Sequence, residues 1–187
     1  MNNSLKNITI FGGSNPKPGE PAYEQAYQLG KLLGLAQATV ITGGYMGTME
    51  AVSRGAVESG GYSIGVTCDE IERWRPIGPN PWVQKELRCS TLVQRIIKLI
   101  DLSEAVIILP GGIGTLAELT LLWNYIEIQV LPPRPVILFG TIWKKIIDHF
   151  FEQFAEYIPN KQRRWLIFSN DIYKVLNILE DYWGKNE

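Results

Sequence analysis

Three short glycine-rich segments are the residues of this chain whose types and spacing best suit chemistry. They lie at residues 12–14, 43–48 and 110–115, and each follows directly on a short apolar run. Glycine lets the backbone approach a ligand closely, and a helix that begins after such a turn offers unpaired N–H groups and the positive end of its dipole. We therefore expect these turns to bind phosphate, although glycines also end strands for purely structural reasons. The candidate binding residues are Gly13, Ser14, Gly43, Gly44, Gly47, Thr48, Gly111, Gly112, Gly114 and Thr115.

The arrangement of the glycines limits the kind of phosphate ligand. The sequence Gly-x-Gly-x-x-Gly does not follow the first apolar run, and no lysine follows Gly114 and Thr115. Neither a dinucleotide fingerprint nor the P-loop of ATPases and GTPases is therefore matched. The segments predict a site for one phosphate group rather than for a triphosphate.

The elements that must position these turns alternate along the chain. Short β-branched runs predict strands at residues 8–11, 39–42, 62–67, 105–109, 136–139 and 166–168. Amphipathic stretches predict helices at residues 21–36, 48–60, 90–102, 115–129, 142–156 and 171–183. This alternation predicts one Rossmann-like α/β domain over residues 1–187, with a doubly wound, mostly parallel sheet and helices on both faces. Ligands bind such sheets outside the carboxyl ends of the strands, which is where the glycine turns lie.

One stretch, residues 68–87, interrupts the alternation. It contains Pro76, Pro79 and Pro81 and resembles a long loop, which in a compact domain is usually functional or mobile. Trp74 and Trp82 in this stretch can stack on a base or anchor the loop by packing, and both alternatives stay open.

Composition excludes several classes of partner. The chain has 187 residues with 18 Lys and Arg against 19 Asp and Glu, a net charge of −1, so no basic excess exists to attract nucleic acid. No apolar run approaches the roughly 20 residues that cross a bilayer, and the first seven residues lack a signal-peptide pattern, so we expect a cytoplasmic protein without membrane contact. Two cysteines, Cys68 and Cys89, and a single histidine predict neither a disulfide framework nor a metal site.

The segment from Pro110 to Glu118 carries a family resemblance. It reads Pro-Gly-Gly-Ile-Gly-Thr-Leu-Ala-Glu and resembles the P-G-G-x-G-T-x-x-E motif of the LOG family, the cytokinin riboside 5′-monophosphate phosphoribohydrolases long mislabelled as lysine decarboxylases. Residues 43–51 and 11–14 resemble the two other glycine motifs of the family. Glu50, where glycine is commoner, and Ile96, where lysine is typical, depart from the family pattern and indicate a divergent branch.

The resemblance implies a reaction and two catalytic residues. LOG proteins hydrolyse the N-glycosidic bond of a nucleoside 5′-monophosphate, releasing the free base and ribose 5-phosphate, and no cofactor is expected. Arg95 matches the family's catalytic arginine, and Glu118 is the last residue of the motif. A carboxylate beside the ribose can stabilise the positive charge of an oxocarbenium-like transition state. A non-catalytic module that binds a nucleotide or a phosphorylated cofactor, such as a sensor or a molybdenum-cofactor carrier, is the alternative.

Arg95 and Glu118 each also have a structural interpretation. Thr115 and Glu118 have the spacing of a capping box, in which the glutamate returns to the first N–H of a helix. Arg95 shares a polar helix stripe with Gln94 and Lys98, which is typical of a solvated surface.

The predicted helix after the motif is apolar around most of its circumference. A single sheet face cannot cover all of its large apolar residues, which are Leu119, Leu121, Leu122, Trp123, Tyr125, Ile126 and Ile128. Either neighbouring helices enclose this helix or a second subunit does, and the resemblance to a family of dimers favours a homodimer.

Overall fold

The computed structural model describes residues 6–184. Within this range the strands are β1 (Asn7–Phe11), β2 (Thr39–Thr42), β3 (Tyr62–Cys68), β4 (Lys85–Cys89), β5 (Ala105–Ile108), β6 (Val136–Phe139) and β7 (Leu166–Ser169). The helices are α1 (Pro21–Leu35), α2 (Thr48–Glu58), α3 (Asp69–Trp74), α4 (Leu92–Asp101), α5 (Ile113–Glu127), α6 (Thr141–Gln153) and α7 (Ile172–Gly184), and a 3₁₀ helix covers Asn160–Trp165. No helix in this part of the chain has both the length and the apolar character needed to cross a membrane.

The seven strands form one sheet in the order β4-β3-β2-β1-β5-β6-β7. Every neighbouring pair is parallel. The chain builds the sheet outward from β1 to β4 and then returns to the other side of β1 with β5. The predicted Rossmann-like α/β fold is therefore confirmed, and the reversal of strand order at β1 creates the crevice in which such sheets bind ligands.

Two apolar layers cover the faces of the sheet. Strands β2, β5 and β6 are buried along their whole length, as expected for β-branched strands covered on both sides. One core packs β1 against α1, α2 and α7, and includes Ile10, Leu29 and Val175. The other packs the sheet against α4, α5 and α6, and includes Leu99, Leu122 and Ile147. Helices α4 and α5, which carry the two candidate catalytic residues, therefore lie on the same face.

The predicted loop at residues 68–87 is the main error of the sequence analysis. It contains the whole of α3 and the beginning of β4, an edge strand. Because β4 faces solvent on one side, Lys85, Glu86 and Arg88 are exposed and the strand lacks the apolar run used to predict the other six. The six predicted strands and six predicted helices all occur, with boundaries within three residues of those expected.

Candidate active site

The three glycine turns meet at the carboxyl edge of the sheet. They follow β1, β2 and β5, which are neighbours. The Gly13 amide donates a hydrogen bond to the Pro110 carbonyl over 3.1 Å, which joins the first turn to the third. The Thr48 amide and hydroxyl each lie 3.0 Å from the Gly13 carbonyl, which joins the second turn to the first. The spatial grouping expected from the sequence is therefore present.

The first two turns use much of their polar backbone to hold one another. The amides of Gly13 and Thr48 are engaged in the bonds just described, and the Gly44 amide donates to the Thr42 hydroxyl over 3.1 Å. Gly47 has a φ of +74°, and a Cβ there would lie 2.5 Å from the carbonyl carbon of Ser14. Hydrogen bonds and close packing within the protein thus explain many of the polar groups and glycines of these two turns, which the sequence predicts to bind phosphate.

The third turn is open. Gly112 and Gly114 are exposed, and a Cβ added at either position would meet no atom within 4 Å. Gly112 is the N-cap of α5, and no side chain of residues 6–184 caps this helix end. Its first N–H groups have no intrahelical partners. Thr115 is buried beneath Gly111, at which a Cβ would meet the Thr115 hydroxyl. The third turn is therefore the part of the glycine cluster with backbone and space available for an anion.

Arg95 and Glu118 are buried together. Arg95 is 5% exposed and Glu118 is 8% exposed, and an Arg95 Nη1 to Glu118 Oε1 distance of 3.5 Å separates them. The Arg95 Nε donates to the carbonyl of Val66 near the end of β3 over 2.8 Å. The solvated surface position of Arg95 is thus wrong, because the guanidinium is buried between the end of β3 and Glu118 of α5.

The capping-box interpretation of Glu118 is also wrong. Helix α5 begins at Ile113, two residues before the predicted start, so Thr115 lies inside the first turn and Glu118 in the second. A capping box does occur one helix earlier, where Thr91 and Gln94 form it at the start of α4. Glu118 is therefore free of a capping role.

Three further residues, Gly43, Tyr45 and Met49, surround the Arg95 guanidinium. A Cβ at Gly43 would lie 1.8 Å from Arg95 Nη2, and the Met49 sulfur is 4.0 Å from the same nitrogen. The ring of Tyr45 lies 5.7 Å from Arg95 Cζ. Residues of the second glycine motif thus surround the Arg95 guanidinium. Sequence analysis missed this role of Tyr45 and Met49, although both residues lie within the second glycine motif.

Burial dominates the electrostatics of Glu118. Loss of solvent raises its pKa from the usual 4.5 to about 7, and the Arg95 guanidinium acts against this rise. A carboxyl group with a pKa near neutrality exchanges protons readily at physiological pH, a property that clusters at catalytic sites.

The other singled-out side chains have partners elsewhere. Glu50 accepts a hydrogen bond from the Tyr23 hydroxyl of α1 over 3.1 Å. Trp82 lies 5.7 Å from the Arg54 guanidinium, and Trp74 is 78% exposed at the end of α3. Ile96, which replaces a polar family residue, belongs to the core on the α4 face.

Comparison with protein families identifies the group of proteins to which this site belongs. A family model described as "Possible lysine decarboxylase" matches residues 49–179, which is more than half of the chain. The chain belongs to this family. Curated relatives named as LOG proteins are consistent with the resemblance carried by residues 110–118.

Two relatives of this lysine decarboxylase-like family represent its named activities. The pyrimidine/purine nucleotide 5′-monophosphate nucleosidase of Escherichia coli is 29% identical over 184 residues, covering 90% of this chain. This chain spans only 38% of the length of that nucleosidase. A cytokinin riboside 5′-monophosphate phosphoribohydrolase of Arabidopsis thaliana is 24% identical over 192 residues, covering 98% of this chain and 86% of the relative.

Solved structures share the fold of this family member. The molybdenum cofactor binding protein of Rippkaea orientalis has a TM-score of 0.72 and 22% identity, covering 95% of this chain and 97% of its own. The molybdenum cofactor carrier protein of Chlamydomonas reinhardtii has a TM-score of 0.73 and 21% identity, covering 96% and 99% of the two chains. At these identities the likeness concerns the fold alone.

Proposed function

We propose that this protein is a nucleoside 5′-monophosphate N-glycosidase that releases a free base and ribose 5-phosphate. The observation that carries the proposal is the layout of α5, which has an open, uncapped N-terminus at Gly112 and a buried carboxylate at Glu118 next to Arg95. At 1.5 Å per residue, about 6 Å of helix rise separates Gly114 from Glu118. One helix thus offers an anion site and an ionisable carboxylate at a spacing suited to a sugar phosphate.

In this proposal the substrate phosphate binds the first amides of α5. The amides of residues 113–115 and the helix dipole favour a negative group there, and Gly112 and Gly114 leave room for it. The permanent charge of Arg95 binds phosphate or ribose oxygens. The sequence predicts phosphate binding by all three glycine turns, whereas we now propose the third turn alone. The first two turns use the amides of Gly13, Gly44 and Thr48 in hydrogen bonds within the protein.

Glu118 acts at the ribose in its ionised form. As the bond between C1′ and the base nitrogen breaks, its electron pair leaves with the base, which takes up a proton, and the ribose gains oxocarbenium character. The Glu118 carboxylate stabilises that positive charge and accepts a proton from the water that adds to C1′. Glu118 then releases this proton to solvent, and the base takes its proton from solvent, so water and nucleotide give base and ribose 5-phosphate without a further reactant.

The names of the relatives support nucleotide hydrolysis over the reaction in the family description. A pyridoxal-dependent lysine decarboxylase needs a lysine that forms a Schiff base inside the site. Every lysine in the described residues 6–184 is exposed or half-exposed. The two relatives are named for hydrolysis of nucleoside 5′-monophosphates.

The proposal is tested by incubating the protein with AMP, adenosine and ATP, with parallel series for other bases, and measuring free base and ribose 5-phosphate. We expect the monophosphate to exceed the nucleoside by about two orders of magnitude in kcat/KM, because the phosphate adds hydrogen bonds from the first amides of α5 to a charged group, each worth about 1.5–3 kcal/mol. ATP should be poor because no lysine follows Thr115.

Variants separate catalysis from binding. Glu118→Gln should abolish turnover, whereas Glu127→Gln is the matched control, since Glu127 lies on the same helix and accepts a bond from the Trp165 indole. Tight binding of AMP with no release of base from the wild type would favour the binding-module alternative. Equal hydrolysis of adenosine and AMP would refute the phosphate site.

We also propose that the protein forms a homodimer through α5 and α6. Five apolar side chains on or next to these helices are at least 41% exposed: Leu116 of α5, Ile128 just after it, Ile146 and Phe150 of α6, and Phe154 just after it. Helices α5 and α6 border a groove of about 320 Å³ that includes Ile128 and Phe150. The inward residues of α5, such as Leu122 and Trp123, are buried within the chain, so the apolar strip left for a second copy is narrower than the sequence suggested.

A further inference from the structure

The Arg95 guanidinium lies over the aromatic ring of Tyr45. Both residues are buried, with 1% of Tyr45 and 5% of Arg95 exposed, and the ring centroid is 5.7 Å from Arg95 Cζ. A guanidinium over an aromatic face is attracted by the ring quadrupole, and the attraction is strongest where water is excluded. The contact therefore restrains the arginine as well as filling space.

Tyr45 is itself held at both ends. Its hydroxyl oxygen accepts a hydrogen bond from the Cys68 amide over 2.7 Å and lies 3.2 Å from the Cys68 carbonyl and 3.3 Å from a Glu72 carboxylate oxygen. Its own carbonyl accepts from the Asn80 side chain over 2.9 Å. Burial raises the pKa of Tyr45 to about 12, so the hydroxyl keeps its proton and donates. The ring is thus a fixed surface rather than a mobile side chain.

The other polar contacts of Arg95 include one strong hydrogen bond and two weaker contacts. The Nε bond to Val66 fixes one point, while the Nη1 to Glu118 distance of 3.5 Å is longer than a strong charge-assisted hydrogen bond. The sulfur near Nη2 is a weak acceptor. Beside these contacts and the close approach of Gly43, the Tyr45 ring adds an aromatic surface that restrains the two terminal nitrogens of Arg95.

We propose that Tyr45 is a positioning residue, which holds the guanidinium of Arg95 beside Glu118 through its aromatic face. The proposal rests on the hydrolase function proposed above and adds a residue that acts only through the arginine. The aromatic ring is the essential part, and the hydroxyl serves to fix the ring.

Kinetics of Tyr45→Leu and Tyr45→Phe test this role. Leucine removes the ring, and we expect kcat to fall about tenfold or more, with KM changing less. Phenylalanine keeps the ring and should recover most of the activity. Tyr23→Leu is the matched control, because Tyr23 is an equally buried, hydrogen-bonded tyrosine in contact with Glu50 of α2.

The pH profile distinguishes positioning from loss of stability. The Arg95 charge lowers the pKa of Glu118, so withdrawal of the guanidinium in Tyr45→Leu should move the midpoint of the kcat/KM profile upward from about 7. Tyr45→Phe and Tyr23→Leu should keep the wild-type midpoint. An unchanged midpoint and kcat in folded Tyr45→Leu would overturn the proposal. If leucine prevents folding, Tyr45→Met replaces it, because the longer, unbranched methionine side chain adapts to the space left by the ring without being aromatic.

A spectroscopic measurement keeps this test independent of the reaction. In a ¹H–¹⁵N spectrum the Arg95 Nε–H signal, assigned by its loss in Arg95→Lys, should shift when the ring current of Tyr45 is removed, and should stay near its position in Tyr45→Phe. Absence of nucleotide hydrolysis by the wild type would refute the function alone. An Arg95 signal that does not respond to Tyr45→Leu would refute the positioning role.

Discussion

Glu118 is a carboxyl group that the fold makes costly to ionise. It is nine-tenths buried, and one guanidinium at 3.5 Å does not compensate fully for its lost hydration. The free energy of unfolding is therefore reduced at the pH at which Glu118 is ionised and can act in the reaction. Such a cost is typical of a residue retained for chemistry.

Glu118→Gln should stabilise the protein in a pH-dependent manner. The pKa of Glu118 is raised on folding from 4.5 to about 7, so the folded state binds more protons than the unfolded state between these values. Wild-type stability should then fall as pH rises from 4.5 to 7, by at most about 3 kcal/mol, and Gln removes this dependence. Chemical denaturation at pH 5 and pH 8 measures it, with Glu127→Gln as control. A gap between wild type and Glu118→Gln that does not widen with pH would contradict the assigned pKa.

Gly43→Ala should disable Arg95. The new methyl group would lie 1.8 Å from Arg95 Nη2, so the guanidinium must move, and we expect stability to fall by about 1–3 kcal/mol. Under the proposed function turnover should fall about tenfold or more. Gly78→Ala is the control, because its methyl group would meet open space. Wild-type kinetics in Gly43→Ala would show that the position of Arg95 is not important for the reaction.

At the scale of elements, α5 combines two tasks. Its inward residues Leu119, Leu122 and Ile126 belong to the core, which anchors the helix against the sheet. Its first turn is open and carries glycine where helix stability favours alanine. Packing of its inward residues against the core therefore stabilises α5, whereas the glycines of its first turn lower the stability of the helix N-terminus.

Gly114→Ala should raise stability and lower activity together. Alanine is a better helix former than glycine by up to about 1 kcal/mol, and its methyl group meets no protein atom. The same methyl group would occupy the proposed phosphate site, so kcat/KM for AMP should fall while any activity on adenosine stays the same. Thermal unfolding and kinetics measure both effects, and Gly184→Ala in α7 is a control at another open helical glycine. Full activity on AMP would mean that phosphate binds elsewhere.

The sequence predicted the elements that obey a simple periodicity and failed where tertiary contacts decide. Strands β5 and β6 are continuous apolar runs and β2 is a β-branched run, and the sequence predicted all three, whereas it did not predict the charged edge strand β4. The helical pattern of α4 grouped Arg95 with Gln94 and Lys98. The burial of Arg95 depends on the Val66 carbonyl of β3 and on Gly43, which lie 29 and 52 positions from Arg95 in the sequence. No local pattern could therefore indicate this burial.

At the scale of the whole molecule, an apolar strip on α5 and α6 remains outside the core. Phe150 near the end of α6 contacts Phe154, and Phe154 contacts Tyr157 in the segment after the helix, with ring centroids 5.2 and 6.4 Å apart, respectively. Exposed aromatic groups of this kind are enriched in protein interfaces. A second copy of the chain would bury them.

Phe150→Asp should convert the proposed dimer to monomer. A carboxylate in the centre of the strip would be desolvated without a partner on association. Sedimentation velocity measures the change, and Tyr173→Asp on α7, where the tyrosine is 65% exposed, is the control. A wild-type protein that is monomeric at micromolar concentration would contradict the dimer.

The reversal of strand order at β1 also divides the site between two stretches of chain. Arg95 and its housing in the second glycine turn precede Ser103, whereas the open turn and Glu118 follow it. The pairing of β1 with β5 and the hydrogen bond from the Gly13 amide to the Pro110 carbonyl bring the stretches together at the site. If the chain were cut at this junction, one fragment would contain Arg95 without Glu118. The other fragment would contain the open turn and Glu118 without Arg95. The complete site would form only when the fragments reassociate, so it reports on assembly of the centre of the sheet.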